Sequence, residues 1–218
     1  MDTPANAERV PKHGLEGYCD ALSQLKTKTL QGVRLPPARE VRRHRTLDER
    51  IVVRFPALAP LLRTAWMRLP RHSRLRRAML VRGARQGYAS VNRRDFDLTV
   101  TFYDPNYEYH LRGEHVAFPD WELGHAGHDG FRKFWRDALE AFDDIQFDPE
   151  EILDLGDRQL ITVQISGHGT GSGVPMNQKI FQLYTYRRGL IVRQDDFSDR
   201  TQALEAAGLS EQATPSDS

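Results

Sequence analysis

The sequence predicts an α+β fold: a cone-shaped, curved antiparallel sheet with helices packed on one face, plus an extra helical extension at the N-terminus. Three observations predict it. Apolar residues recur at steps of three and four in the first half of the chain, as in amphipathic helices. Four β-patterned runs joined by turn signals fill most of the second half. Helical and strand patterns that are segregated along a chain favour an α+β layer structure.

The composition excludes several classes of protein. The chain has 218 residues, 39% of them hydrophobic, and a net charge of +1, which is typical of one globular domain with tails. No stretch approaches the roughly 20 apolar residues of a membrane-spanning helix. A single cysteine, Cys19, excludes an internal disulfide framework. The first residues lack the pattern of a secretory signal, so we expect a cytoplasmic protein.

We divide the chain into four segments. They are a poorly ordered leader (1–46), a basic amphipathic helical extension (47–72), a main domain (73–209) and a polar tail (210–218). Asp48 is a plausible N-cap for the extension, whose helix should kink or split at Pro56 and Pro60. Ser73 is placed to cap the next helix.

The main domain begins with that helix and then changes texture. A short strand is expected at 107–111, after Asp104-Pro105, and a helix at 127–142, after a loop over 112–127. The four β-patterned runs are 145–155, 159–167, 176–186 and 190–197. A short helix over 201–207 should end at Gly208.

The charge is strongly segregated. Residues 34–94 contain 17 arginines against three acidic residues, whereas residues 95–218 contain 10 basic and 23 acidic residues. The basic residues alternate with apolar ones at helical spacing, which favours a helical face docked on its own acidic domain or on that of a second copy. Nucleic acid is not expected, because lysines and stacking aromatics are few. Peripheral membrane contact by residues 39–94 is the alternative.

Several motifs, in this order, resemble the SnoaL-like branch of the nuclear transport factor 2-like superfamily. They are YASVNRRDFD (88–97), YDPNYEY (103–109), GHAGHDGFRKF (124–134), GHGTGSGVP (167–175), YRRGLIVR (186–193), DFSD (196–199) and ALEAAGL (203–209). The resemblance covers about residues 75–209. It implies a deep, mostly apolar pocket. Members include isomerases, polyketide cyclases, epoxide hydrolases, dehydratases and non-catalytic modules, so the family does not settle the function.

The last strand carries the candidate base. Strand alternation points Asp195 and Asp196 in opposite directions, so at most one of them enters a cavity. We predict that Asp195 is the base, because its position resembles the late-strand carboxylate of cyclases and epoxide hydrolases in this superfamily. The alternative is a rim carboxylate paired with Arg193 or Arg200. His168 is the candidate proton carrier beside it; its alternative is a strand-end histidine in water.

Other side chains are candidates for substrate binding. They are Tyr107 and Tyr109 on the first strand, Trp121 as a lid on the following loop, Trp135 on the helix and Gln164 on a strand. The tyrosines could equally be core residues, and Gln164 could face solvent.

The sequence indicates no metal and no cofactor. His125 and His128 stand three apart, but histidines beside a helix start more often cap it or form hydrogen bonds. An epoxide-hydrolase arrangement needs an arginine two residues from an aspartate on the strand that carries Gln164, and none is present.

Two functions follow as hypotheses. The first is a SnoaL-like protein that binds an unidentified small hydrophobic molecule and acts as a cyclase, isomerase or dehydratase, with a pocket carboxylate as general base. The alternative is a non-catalytic module that dimerises or binds a partner, its basic N-terminal helices contacting an anionic surface. Whether the protein is an enzyme stays open at this point. We expect a homodimer through the sheet in either case.

Overall fold

A computed structural model describes residues 32–35, 44–113, 124–142 and 144–209. Its helices are α1 (Leu47–Arg54), α2 (Leu58–Met67), α3 (Arg74–Asn92), α4 (Phe96–Thr99), α5 (Gly127–Ala141) and α6 (Arg200–Ala206). Its strands are β1 (Val33–Arg34), β2 (Tyr103–Arg112), β3 (Gly124–Ala126), β4 (Gln146–Asp154), β5 (Arg158–His168), β6 (Pro175–Arg187) and β7 (Leu190–Phe197). The α+β class predicted from the sequence is confirmed.

All seven strands form one curved, unclosed sheet in the order β1-β4-β5-β6-β7-β2-β3. Every pairing is antiparallel except that of β2 with β7, which is parallel. The prediction of an antiparallel sheet is therefore wrong at this one pair. The direction of β7 is set by the hairpins that join β4, β5, β6 and β7. The edge of β7 that does not face β6 pairs with β2, which runs in the same direction as β7. Two short strands were not predicted: β3 in the expected loop, and β1 in the expected leader.

The helix ends follow local chemistry. The predicted split of the extension is confirmed at Pro56, because α1 ends at Arg54 and α2 begins at Leu58. The predicted interruption at Pro60 is wrong, because Pro60 lies in the first turn of α2, where a proline is tolerated. The N-cap of α1 is Thr46 rather than Asp48, and the Thr46 backbone N–H donates to the Glu49 carboxylate. Ser73 caps α3 as predicted.

Apolar side chains cover both faces of the sheet. One face packs against α3, α4 and α5 in the larger core. The other face carries a smaller cluster that includes Leu153, Phe181 and Phe197 and is covered by Ala203 and Leu204 of α6. The prediction that all helices pack on one face is therefore wrong for α6. These outward apolar side chains need a cover, and the last helix supplies one.

The basic N-terminal part docks through buried or half-buried ion pairs. Arg76, which is 3% exposed, holds Asp154 at the end of β4 with N–O distances of 2.6 and 2.8 Å. Arg45 pairs with Asp95 before α4, and Arg93 pairs with the buried Glu49. The pairs of Arg76 and Arg45 favour docking of the arginine-rich segment on the chain's own acidic part, whereas the pair of Arg93 and Glu49 joins two parts of that segment. None of the helices in the described ranges is long and apolar enough to cross a membrane.

Candidate functional site

A cavity lies between α3, α5 and the inner face of the sheet. The volume of this cavity, counted as the space that the centre of a water molecule can occupy, is about 50 Å³. The aromatic part of its wall comes mainly from β2 and α5: Tyr103, Tyr107, Tyr109, Phe131, Phe134 and Trp135. Its polar lining comes from β6 and β7 and contains one carboxylate, that of Asp196.

Three side chains among the described residues donate hydrogen bonds to the Asp196 carboxylate. The Gln182 amide donates to Oδ2 at 2.8 Å, and the Tyr109 hydroxyl donates to the same oxygen at 3.1 Å. The Gln194 amide donates to Oδ1 at 2.9 Å. Asp196 is 3% exposed, so these donors replace the water that it loses on burial.

The two glutamines are themselves held by tyrosines. Tyr88 on α3 donates to the Gln182 carbonyl oxygen at 2.5 Å, and Tyr184 donates to the same atom at 3.0 Å. Tyr103 donates to the Gln194 carbonyl oxygen at 3.2 Å. These bonds orient both amide nitrogens toward Asp196, and so the carboxylate sits in a connected polar network inside an aromatic wall.

Burial changes the acid–base properties of the cavity. Loss of hydration raises the pKa of Asp196 to about 6. Hydrogen bonds from Gln194, Gln182 and Tyr109 favour the charged form and offset only part of this rise. Burial also raises the pKa of Tyr109 well above its ordinary value. The pKa of Tyr107 is raised for the same reason, with a smaller effect of the Asp196 charge. The cavity therefore combines a carboxylate of increased basicity with hydroxyls that keep their protons.

Asp195 points away from this cavity, so the prediction that Asp195 rather than Asp196 faces it is wrong. Directly opposed residues of an antiparallel pair share a face, and Asp196 opposes the cavity-lining Gln182, whereas Asp195 opposes Leu183. Arg193 binds Asp195 with N–O distances of 2.6 and 2.8 Å, and Arg112 binds it at 3.1 Å. Asp195 is thus the arginine-paired carboxylate of the alternative interpretation.

Its surroundings give Asp195 the opposite titration behaviour. Burial opposes ionisation, but hydrogen bonds from Arg193 and then Arg112 outweigh it and lower the pKa of Asp195 below its usual value. A carboxylate with a lowered pKa is a weaker base, and its oxygens are engaged by two cations.

The other predicted residues divide into two groups. Tyr107, Tyr109 and Trp135 line the cavity. His168 does not, because it lies exposed at the end of β5 with Nδ1 2.8 Å from Asp144 Oδ2. Gln164 also lies outside, on the opposite face from the core residue Ile165, and bonds Asn177. The predicted roles of His168 and Gln164 in the cavity are therefore wrong, and Trp121 lies outside the described residues.

The sequence analysis named Tyr109, which donates to the Asp196 carboxylate, but it missed the two glutamines that also hold this carboxylate. Gln182 and Gln194 could have been found, because each is a polar residue on a strand face that otherwise carries apolar and aromatic side chains. Tyr88 carried no such signal, since its position on α3 reads as ordinary core. The candidate metal pair serves other contacts: His125 stacks on Tyr109, and His128 lies 3.1 Å from the Tyr103 carbonyl oxygen.

Fold and site together define an α+β protein whose curved sheet and helices surround a cavity with a buried carboxylate. This chain belongs to the SnoaL-like family, because the model of the SnoaL-like domain matches residues 84–194, more than half of the chain. No curated protein matches the sequence.

Solved structures of similar fold include TerC co-crystallized with polyporic acid (19% identity, 59% of this chain and 97% of that chain, TM-score 0.48). A second is an NTF2-like protein of unknown function from Burkholderia pseudomallei (17% identity, 57% and 93%, TM-score 0.48). A third, from Catenulispora acidiphila, has a ketosteroid isomerase-like fold and is in complex with trimethylamine (16% identity, 59% and 93%, TM-score 0.44). The family assignment rests on the sequence match alone.

Proposed function

We propose that this protein is an enzyme that removes a proton from the carbon next to a carbonyl group of a small apolar molecule, as cyclases, isomerases and dehydratases do. Asp196 is the general base. The observation that carries the proposal is the buried Asp196 carboxylate, which lines an aromatic cavity and has a pKa of about 6.

This pKa suits the task. At neutral pH Asp196 is ionised and can accept a proton, yet it is a stronger base than an ordinary carboxylate. Its network holds it in one orientation before substrate arrives, which lowers the cost of reaching the reactive geometry. Aromatic walls favour an apolar substrate and keep water from competing.

The developing negative charge needs a donor. When the base takes the proton, the C–H electron pair moves toward the carbonyl oxygen and forms an enolate. Tyr107 lines the cavity, its raised pKa keeps its proton in place, and it makes none of the hydrogen bonds that hold Asp196. Its hydroxyl is therefore our candidate donor to the oxyanion. Return of the proton at another carbon gives isomerisation, attack of the enolate on a second carbonyl gives cyclisation, and loss of a β-hydroxide gives dehydration.

The test uses 2-tetralone, a small apolar ketone with acidic C–H bonds, in heavy water, with exchange at the carbon followed by proton NMR. We expect the wild-type protein to accelerate exchange, with a rate that rises as Asp196 ionises through about pH 6. Asp196→Asn should lower the enzymatic rate by roughly 100-fold or more, the range seen for loss of a general base.

Asp195→Asn is the matched control, because it neutralises the adjacent carboxylate on the other face of the same strand. It should retain most of the activity. Exchange no faster than in buffer, or an equal loss in both variants, contradicts the proposal.

A second candidate function is contact with an anionic membrane surface, and one observation favours it. Large apolar side chains stand exposed along α1 and α2, beside the arginines of α1 and α3: Leu47, Ile51, Phe55, Leu58, Leu61 and Leu62. Exposed apolar side chains next to cations are typical of helices that lie in a membrane interface. This function is compatible with the first, since the cavity and this surface use different residues.

A further inference from the structure

A second cavity lies beside the first, under the N-terminal extension. The volume open to water centres is about 70 Å³. Arg63 and Trp66 of α2 form one side, and α3 and the sheet form the others. Tyr88, Tyr103 and Tyr184 line both cavities, so these rings form a shared wall. Since α2 lies outside the family match, this cavity owes one wall to the extension of this particular chain.

Arg63 brings a cation into this cavity, and no carboxylate of the described residues forms an ion pair with it. Its guanidinium lies 5.2 Å from the ring of Phe102 and 5.3 Å from that of Tyr186. Its Nη1 is buried, and no described residue accepts a hydrogen bond from it. The part of the chain that the structure describes places no carboxylate in the lining of this cavity. Aromatic faces attract the positive charge but offer no lone pair to the N–H groups, so Nη1 stays without an acceptor among the described residues.

Two glycines keep the cavity open. Gly83 and Gly87 stand one helical turn apart in the interior of α3, and both line the cavity. A β-carbon built on either glycine meets nothing within 4 Å. Glycine destabilises a helix interior relative to alanine, and here no close packing with the protein requires it. The space that the missing side chains leave is therefore available to another molecule.

We infer that this cavity binds the carboxylate of a small apolar acid, with Arg63 as the anchoring cation. A carboxylate supplies the acceptor that Nη1 lacks and neutralises the guanidinium in a site of low polarity. The apolar part of the acid would lie against Trp66, Leu80 and Ile161. The volume limits the ligand to a small molecule, because one water needs roughly 10–15 Å³ by the same measure. This site does not depend on Asp196 acting as a base.

The experiment measures binding of isovalerate and of its neutral isostere, isovaleramide, by ligand-observed NMR titration. We expect the wild-type protein to bind isovalerate at least 10-fold more tightly than isovaleramide. Arg63→Gln should weaken isovalerate binding at least 10-fold and leave isovaleramide unchanged, because only the anion uses the charge. Arg68→Gln, at an exposed arginine just beyond α2, should change neither.

Gly87→Leu supplies a second variant that fills the cavity and keeps the charge. It should abolish binding of both compounds while the helix content stays unchanged. Absence of isovalerate binding, equal affinities for the two compounds, or an unchanged affinity in Arg63→Gln or Gly87→Leu overturns the inference and leaves a cavity filled by water. If isovalerate does not bind but ketone exchange is intact, the proposed function stands and this inference fails. If isovalerate binds but ketone exchange is absent, this inference stands and the proposed function fails.

Discussion

Asp195 and Asp196 are adjacent carboxylates that the fold places in opposite environments. Both are buried. Asp195 meets two guanidinium groups, whereas the hydrogen bonds to Asp196 from Gln182, Gln194 and Tyr109 come from neutral donors. A cation compensates for lost hydration of a carboxylate more fully than an amide or a hydroxyl does. The pKa values of the two acids therefore move apart, which is the pattern expected where one carboxylate serves structure and the other chemistry.

The raised pKa of Asp196 predicts how stability depends on pH. Its pKa is 3.8 in a model peptide and about 6 in the folded protein, so the folded state binds more protons between these values. The contribution of Asp196 to stability is therefore favourable below about pH 4 and is lost as the pH rises through about 6. A shift of about two pKa units corresponds to about 3 kcal/mol.

Asp196→Asn removes this titration. Its free energy of unfolding relative to wild type should rise by about 2 kcal/mol between about pH 4.5 and 7.5. Urea unfolding of both proteins across this range measures the difference, in which the other titrating groups cancel. A difference that stays flat with pH would mean that Asp196 titrates normally.

At the scale of elements, Arg76 joins the extension to the main domain. It is the third residue of α3, and it contacts the end of β4 through Asp154 and the turn after it through the Gly156 carbonyl oxygen. It also donates to the Met67 and Leu69 carbonyl oxygens at the end of α2. The Arg76 guanidinium thus donates hydrogen bonds to acceptors at the end of α2, at the end of β4 and in the turn after β4. These bonds fix α2 over the second cavity.

Arg76→Met should destabilise the protein by roughly 3–5 kcal/mol, because it leaves the Asp154 charge and several carbonyl groups without their partner. Arg77→Met, at the exposed neighbouring position, should change stability by about 0.5 kcal/mol or less. Urea unfolding of the two variants at neutral pH makes the comparison. Similar small losses in both would show that the extension docks by other contacts.

At the scale of the whole molecule, charge and exposed apolar surface coincide at the N-terminal helices. Part of the positive charge is consumed by internal ion pairs, such as those of Arg76 and Arg93. Other arginines, including Arg50, Arg74 and Arg77, stay exposed. Homodimerisation through the sheet stays a prediction, and α6 already covers part of the outer face that it would use.

The protein should co-sediment with vesicles of phosphatidylcholine and phosphatidylserine and should bind pure phosphatidylcholine vesicles weakly, with binding that declines as salt screens the charges. Leu62→Asp should strongly reduce this binding. Val174→Asp is the matched control, because Leu62 and Val174 are both 63% exposed and Val174 lies on the β5–β6 connection. If both variants bind the vesicles equally, the apolar side chains of α1 and α2 do not contact the membrane.

Much of the fold could be predicted because local signals carry it. Pro56 ends a helix, Ser73 begins one, and the four long strands follow their alternating patterns to within a few residues. The parallel β2–β7 pair could not be predicted, since it depends on which edge a distant strand reaches. The strict alternation of side chains along β7 also fails. Ile191 lies on the same side of the sheet as Gln194, three residues on, because the register of β7 shifts between them.

The sequence by itself determined the α+β class, the split extension, the opposite directions of Asp195 and Asp196, and the aromatic character of β2 and α5. Only the tertiary structure decided which acid enters the cavity, because that choice depends on which face of β7 the helices cover. It likewise brought Gln182 and Tyr88 to Asp196 and left Arg63 facing an apolar hollow. Alternation and helical periodicity are properties of a few neighbouring residues, whereas burial and pKa arise from residues that lie far apart along the chain and meet only when it folds.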